Sequence, residues 1–273
     1  MLVRSTDELS LLTWNVDFAA PLVVRRFQTA LSHLEKLVSP HLTSPPPPPT
    51  IILLQEVHTS CFKTLFTNTF IYEFAQITNL FSARSYSTLS LMPNSLASLV
   101  FSVSRVLLFT ETRMQSDCLV VRRPRYSAAP NGRGAESKNI IVNTHLEPLN
   151  VFGNRARPKQ LEVISRLLTT SEVDAGLVAG DMNAISPSDR NLPEEVGLSD
   201  AWFASTARPT DGGHTWGYQP KGAYPPNRLD KILTVGKMVA VDIERVDVEL
   251  KVEGRDAWVS DHFGLLAKIV LRP

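Results

Sequence analysis

Thiols are scarce in this chain: its 273 residues include only two cysteines, Cys61 and Cys118, far apart and without metal-site spacing. That excludes a disulfide scaffold and a thiolate-held metal. The pair reads as buried thiols, which fits a reducing compartment. No apolar stretch is long enough to cross a bilayer. The opening MLVRSTDELSLLTWN lacks the long apolar core and small-residue cleavage site of a secretory signal. A soluble intracellular protein, nuclear or cytosolic, is expected, with no membrane partner. An excess of one charge is missing too: 28 basic residues meet 27 acidic ones, for a formal net charge of +1. That balance argues against a general nucleic-acid coating protein and leaves room only for a local basic track. Its candidates are Arg122, Arg123 and Arg125 with nearby Arg133, and Arg155, Arg157 and Lys159; solvated surface residues are the competing reading. The RRPR stretch at 122–125 is too short and strand-like for a nuclear signal. No internal repeat and no linker divide the chain, so a single domain over 1–273 is expected, as a monomer.

What is present is ordinary globular composition, 43% hydrophobic and 20% charged. Short runs rich in Val, Ile and Leu predict buried strands at 9–16, 50–57, 98–106, 117–122, 139–144, 175–179, 229–235 and 263–271. Helical spacing of Val23, Phe27, Ala30, Leu34 and Leu37 predicts a helix over 21–38. A second is expected over 157–168, with Pro158 in its first turn. Helices interleaved with strands that are apolar on both faces indicate a layered α/β protein. The prolines at 45–49 read as an exposed connector, or as an SH3-type ligand. The stretch 128–137 reads as a loop joining two strands.

The chemistry shows where strands stop. LLTWNVD leaves Asn15 and Asp17 at a strand end, and IILLQEV leaves Gln55 and Glu56. IIVNTHLEP ends near His145 and Glu147, and GLVAGDMNA delivers Asp181 and Asn183. RLDKIL carries Asp230, and SDHFGLL opens a strand with Asp261 and His262. Residues at such ends project into the loops where ligands bind. A buried strand has no independent use for them, because each unpaired polar group costs roughly 1–3 kcal/mol. Carboxylate and amide oxygens without thiolate suit Mg²⁺ or Mn²⁺ rather than zinc. Glu56 is a sufficient protein anchor for such an ion. His145 and His262 are placed to donate to phosphoryl oxygens, Asp230 and Asp261 to orient or charge an imidazole, and Asp181 to position and deprotonate water. No serine, cysteine or lysine sits in a nucleophile motif, which favours one-step hydrolysis.

As an ordered set, TWN, LQE, THLEP, GDMN, RLDKI and SDH resemble the endonuclease/exonuclease/phosphatase superfamily, whose DNase I-like fold is a four-layered α/β sandwich of two packed mixed β-sheets flanked by helices. Within it the chain most resembles the 5′-tyrosyl-DNA phosphodiesterases, which remove tyrosine from DNA 5′ ends left by a trapped topoisomerase II. That narrower likeness rests on TWN followed by Asp17, LLQEV, THLE, Gln160–Leu161, TWG at 215–217, RLDKI and SDHFGLL. The resemblance implies Glu56 as the magnesium ligand, assisted by Asn15 and, through water, by Asp17. It implies Asp181 and Asn183 for the attacking water and the phosphate, and His262 for the phosphate with Asp230 as its partner. His145 then stabilises the pentavalent phosphorus, and Asp261 supports the metal side. Trp216, Tyr218 and Arg113 line the groove for DNA 5′ ends carrying tyrosyl or peptide adducts, with core packing the other reading of Trp216.

Abasic-site endonucleases, ribonucleases and phosphoinositide phosphatases of the same superfamily remain competing assignments. A catalytically dead module binding DNA ends is the reading from another class. The number of metal ions stays open. Three departures stand out: no motif matches in 68–96, methionine lies inside GDMN, and no ubiquitin-binding region is seen ahead of the first catalytic strand.

Overall fold

The computed structural model describes residues 8–38, 48–78, 85–97, 102–107, 117–126, 136–148, 150–221 and 224–272. Arg113, Arg133 and most of the loop expected at 128–137 lie outside the described residues, as do the first three of the five prolines and the side chains of Arg123 and Arg125.

Alternation along the strands decides the layering. In β1 (Glu8–Asn15), Leu9 and Leu11 turn to one face and Leu12 and Trp14 to the other, all buried. A strand apolar on both faces has to be covered on both. Next come α1 (Val23–Val38), β2 (Thr50–His58), the short helices α2 (Phe62–Thr67) and α3 (Thr69–Phe74), β3 (Ala75–Thr78), β4 (Tyr86–Pro93) and α4 (Asn94–Ala97). The second half begins with β5 (Ser102–Leu107), β6 (Asp117–Tyr126), β7 (Glu136–His145), α5 (Asn150–Leu168) and β8 (Val173–Asp181). It ends with α6 (Leu192–Glu195), β9 (Ser199–Asp200), α7 (Ala201–Ala204), β10 (Asp230–Gly236), β11 (Met238–Val246) and β12 (Gly264–Leu271).

Two mixed six-stranded sheets result, ordered β11-β12-β1-β2-β4-β3 and β5-β6-β7-β8-β10-β9. Each is antiparallel except for one central parallel pair, β1 with β2 and β7 with β8. A parallel pair needs a crossover, and α1 and α5 supply them. Leu9, Leu11, Ile51 and Leu53 of one sheet meet Val121, Ile141, Leu177 and Ile232 of the other in the central core. Outside the first sheet, Leu12, Trp14, Ile52 and Leu54 pack on Phe27, Leu31 and Leu34 of α1. Outside the second, Val120, Val142, Val178 and Leu233 pack on Leu161, Ile164 and Leu168 of α5. Helix, sheet, sheet and helix are the four expected layers. Among the described residues no helix is long and apolar enough to cross a membrane, and both cysteines are buried and outside any disulfide.

The helix expected over 157–168 begins earlier, at Asn150, and Pro158 lies inside it. Pro158 has no N–H for the carbonyl of Asn154 four residues back, and the helix continues past that missing bond. Arg157 is not part of a surface basic track: it is wholly buried, its guanidinium reaching both oxygens of Asp189 at 3.1 and 2.8 Å and donating to the Glu147 carbonyl at 3.0 Å. Arg155 and Lys159 are the exposed members of that group. Replacing Arg157 with alanine strands a buried Asp189 carboxylate, so destabilisation of about 3–5 kcal/mol is expected. The denaturation midpoint checks this; a shift under about 1 kcal/mol would show that water replaces the guanidinium freely.

Candidate active site

All six motifs meet at one end of the sandwich because strand direction and register bring them there. The parallel pairs end together, Asn15 beside Gln55 and His145 beside Asp181. The antiparallel β10 starts at that end, with Asp230 opposite Asp181. His262 sits just before β12, whose Leu265 pairs with Thr13. Beneath them Gln55 and Asn143 tie the sheets together: the Gln55 amide donates to Asn143 Oδ1 at 2.8 Å, and the Asn143 amide to the Leu89 carbonyl at 2.9 Å.

Local backbone geometry aims the side chains. Pairing of β2 with β4 slips between Leu54 and Val57, and Glu56 takes φ 59°. Asn183 has φ 47°. Left-handed non-glycine residues cost roughly 1–2 kcal/mol each and concentrate at functional sites. Gly180 lets β8 press against β7: with φ 141°, a Cβ there would lie 1.9 Å from the Thr144 carbonyl oxygen.

Asp181 is the hub. Its Oδ2 accepts from Asn15 Nδ2 at 3.0 Å and its Oδ1 from the Asn183 backbone N–H at 2.8 Å. His145 Nε2 lies 3.5 Å from Asp181 and 3.6 Å from Glu56 Oε1. The other Glu56 oxygen accepts from the Phe18 N–H at 3.1 Å. On the far side, His262 Nδ1 pairs with Asp230 Oδ2 at 2.7 Å, and His262 Nε2 lies 3.8 Å from both Asp181 and Asp261. Four of these contacts cross between the sheets' halves: Asn15 with Asp181, Glu56 with His145, and His262 with both Asp230 and Asp181. Asn183 donates its amide to the Leu146 carbonyl at 2.9 Å, lacing the loop after β8 to the loop after β7.

The electrostatics are those of a crowded acidic pocket. Burial raises the Glu56 carboxyl above its ordinary value, with His145 pulling the other way and Asp181 adding to the rise. Burial raises Asp230 likewise, opposed by His262. Burial alone would lower His262, but Asp230, Asp181 and Asp261 outweigh it and hold the imidazole charged well above the ordinary histidine range. Two triads of potential ligand atoms, Glu56–His145–Asp181 and Asp181–Asp230–His262, each fall within 4.8 Å of one another. The Glu56 triad, oxygen-rich and free of thiol, suits a hard divalent cation, whose charge would offset the burial cost at Glu56, whereas the charged His262 makes the second triad a hydrogen-bond donor site.

Two expected metal-side residues have protein partners of their own. Asp17 Oδ2 is bound by Arg26 at 2.7 Å, and its Oδ1 accepts from the Ala19 and Ala20 N–H groups. Its carboxylate clamps the loop after β1, because α1 brings a buried arginine beneath it. Asp261 accepts from Trp216 Nε1 at 2.9 Å, and the carboxylate completing the Glu56 triad is Asp181 instead. Trp216, half-buried, belongs to none of the three cores. Tyr218 is exposed and stacks on Phe263 with centroids 5.5 Å apart. Several supporting residues escaped the sequence reading although they lie inside the motifs. Trp14 donates to the His262 carbonyl, the Ser260 hydroxyl to the Asn15 carbonyl, and the Asp230 N–H to the Thr215 hydroxyl. Gln219, outside the motifs, donates to the Ser260 and His262 carbonyls at 3.0 and 3.3 Å.

The fold is similar to that of TDP2 from C. elegans, with 19% identity, 96% of this chain and 75% of that one covered, and a TM-score of 0.71. A D. rerio TDP2 humanised by 14 mutations is 18% identical over 96% of this chain and 99% of that one, with a TM-score of 0.71. D. rerio TDP2 complexed with a single-strand DNA product is 18% identical over 96% and 98%, with a TM-score of 0.68. No curated protein matches the sequence. The profile of the Endonuclease/Exonuclease/phosphatase family matches residues 12–262, and the chain belongs to that family of phosphoester hydrolases.

Proposed function

We propose that this protein is a magnesium-dependent phosphodiesterase that hydrolyses the 5′-phosphotyrosyl bond between DNA and a topoisomerase II-type protein. The observation that carries the chemistry is the convergence of Glu56, His145, Asp230 and His262 around one fixed carboxylate, Asp181. The substrate assignment draws on the motifs shared with 5′-tyrosyl-DNA phosphodiesterases, on the fold likeness to TDP2, and on the aromatic side chains at the rim.

Asp181, held by Asn15 and Asn183, orients a water and takes its proton as the new P–O bond forms. The bond from phosphorus to the tyrosyl oxygen breaks in line, leaving a DNA 5′-phosphate and tyrosine. His262, locked through Nδ1 by Asp230, points Nε2 into the pocket as a charged donor for a non-bridging oxygen. His145 donates beside it. Glu56 would hold Mg²⁺ with water completing the shell. When bound, that ion supplies positive charge for the phosphoryl and leaving oxygens.

The decisive assay offers a 5′-phosphotyrosyl single-stranded oligonucleotide with Mg²⁺ or with EDTA, beside an abasic-site duplex. Tyrosine release that needs Mg²⁺, with the duplex intact, is expected. Cleavage of the duplex alone would reassign the substrate, and undiminished turnover in EDTA would remove the metal.

A further inference from the structure

We infer that Arg26 is a positioning residue for the metal side of the site: through Asp17 it sets the side chains of Asn15 and Glu56 together, and with them the affinity for the divalent ion. The inference rests on the reading of Glu56 as the metal ligand and deepens it.

Arg26 is only 2% exposed, and its helix, α1, is fixed to the first sheet by Phe27, Leu31 and Leu34. Its guanidinium grips two loops. Nη2 donates to Asp17 Oδ2 at 2.7 Å, Nη1 to the Asp17 carbonyl at 2.9 Å, and Nε to the Trp258 carbonyl at 2.8 Å. The first loop follows Asn15. The second leads into Ser260, whose hydroxyl donates to the Asn15 carbonyl, and on to His262. A planar fork makes three such contacts from one buried group; a lysine ammonium, a compact point charge, does not.

What the grip holds is an unfavourable backbone. Asp17 has φ 50°, in the left-handed region that side chains rarely adopt. Such a conformation persists only where its surroundings over-determine it, and here one guanidinium takes both the carbonyl and the carboxylate of Asp17. Two consecutive N–H groups are thereby aimed at the site. The Asp17 N–H donates to Asn15 Oδ1 at 3.0 Å, which leaves Nδ2 to face the Asp181 carboxylate, also at 3.0 Å. The Phe18 N–H donates to Glu56 Oε2 at 3.1 Å, and Oε1 is the oxygen turned towards His145 in the ligand triad. Hydrogen bonds of this kind orient a ligating carboxylate, and losing them weakens metal binding.

Calorimetric titration of the metal-free protein with Mn²⁺ tests the inference in wild type, Arg26→Lys, Glu56→Gln and Leu161→Ala. The last, in the α5 core, controls for a loosened fold. Arg26→Lys is expected to raise the Mn²⁺ Kd roughly 10- to 100-fold, while Leu161→Ala keeps the wild-type value. An unchanged or tighter Kd in Arg26→Lys would overturn the inference, the tighter one by showing that Asp17, once released, serves the ion itself. Equal weakening in Leu161→Ala would overturn it too, leaving Arg26 as one more contact of the fold. Should the buried ammonium prevent folding, Arg26→Gln is read against the same outcomes. Mn²⁺ binding that is absent from wild type, or indifferent to Glu56→Gln, would instead overturn the reading of Glu56, and the positioning role with it.

Discussion

Asp181→Asn lowers kcat for phosphoester hydrolysis roughly 10²- to 10⁴-fold, the range for losing a positioned proton acceptor. The substitution is nearly isosteric, and an amide oxygen still accepts from the Asn183 N–H, so the loop after β8 stays in place. What disappears is the negative charge shared by Asn15, His145 and His262 and the capacity to take a proton from water. KM is expected to change far less than kcat, because the lost interaction develops only as the water attacks. Steady-state kinetics on the tyrosyl oligonucleotide, with a thermal melt as folding control, decide the matter. A loss below about tenfold would move the proton acceptor elsewhere.

Asp230→Asn has the second largest expected effect, and a signature that no merely structural change imitates. Wild-type His262 keeps its proton until pH climbs through its raised value, so activity that needs the imidazolium holds across neutrality and falls on the alkaline side. Without the Asp230 carboxylate at 2.7 Å, burial presses on the imidazole with less opposition, and the alkaline limb moves to lower pH. A charge-to-amide change behind a catalytic histidine costs roughly 10²–10⁴-fold. Part of that loss should return as the pH is lowered, because acid restores the imidazolium. A pH–rate profile that drops uniformly without moving would show that Asp230 holds only the position of the ring.

The sheets were largely legible in the sequence because buried strands are apolar on both faces and then stop abruptly at an acid, amide or imidazole. That contrast marks Asn15, Glu56, His145, Asp181, Asp230 and His262 without any helix having to be placed. β4, YSTLSLMP, was hidden by hydroxyl side chains that meet polar partners across the core, such as Ser90 near Asn143. The short β3 offers too few residues for a period to show. β11 alternates clearly and could have been found by its period of two. Arg157 looked like surface because its partner Asp189 lies 32 residues away, in a short 3-10 turn at Pro187–Asp189. The ion pair of Asp17 with Arg26 was hidden for a like reason: the motif around Asn15 says nothing of an arginine that a helix carries underneath it. Phe18 and Tyr86 belong to no periodic pattern, so only the fold reveals that they touch.

Site contacts that cross between the two sheets, such as Asn15 with Asp181 and His262 with Asp230, have a further consequence. Neither half of the chain carries a functioning fragment of the site, since Asn15 and Asp181 are 166 residues apart and meet only when the sandwich closes. Enzymatic activity is therefore an all-or-none gauge of closure, lost in denaturant together with the central core rather than before it. A divalent ion that binds only the closed form would move its unfolding to higher denaturant. Truncated or partly folded chains should be silent, leaving no intermediate free to cut phosphoester bonds without control.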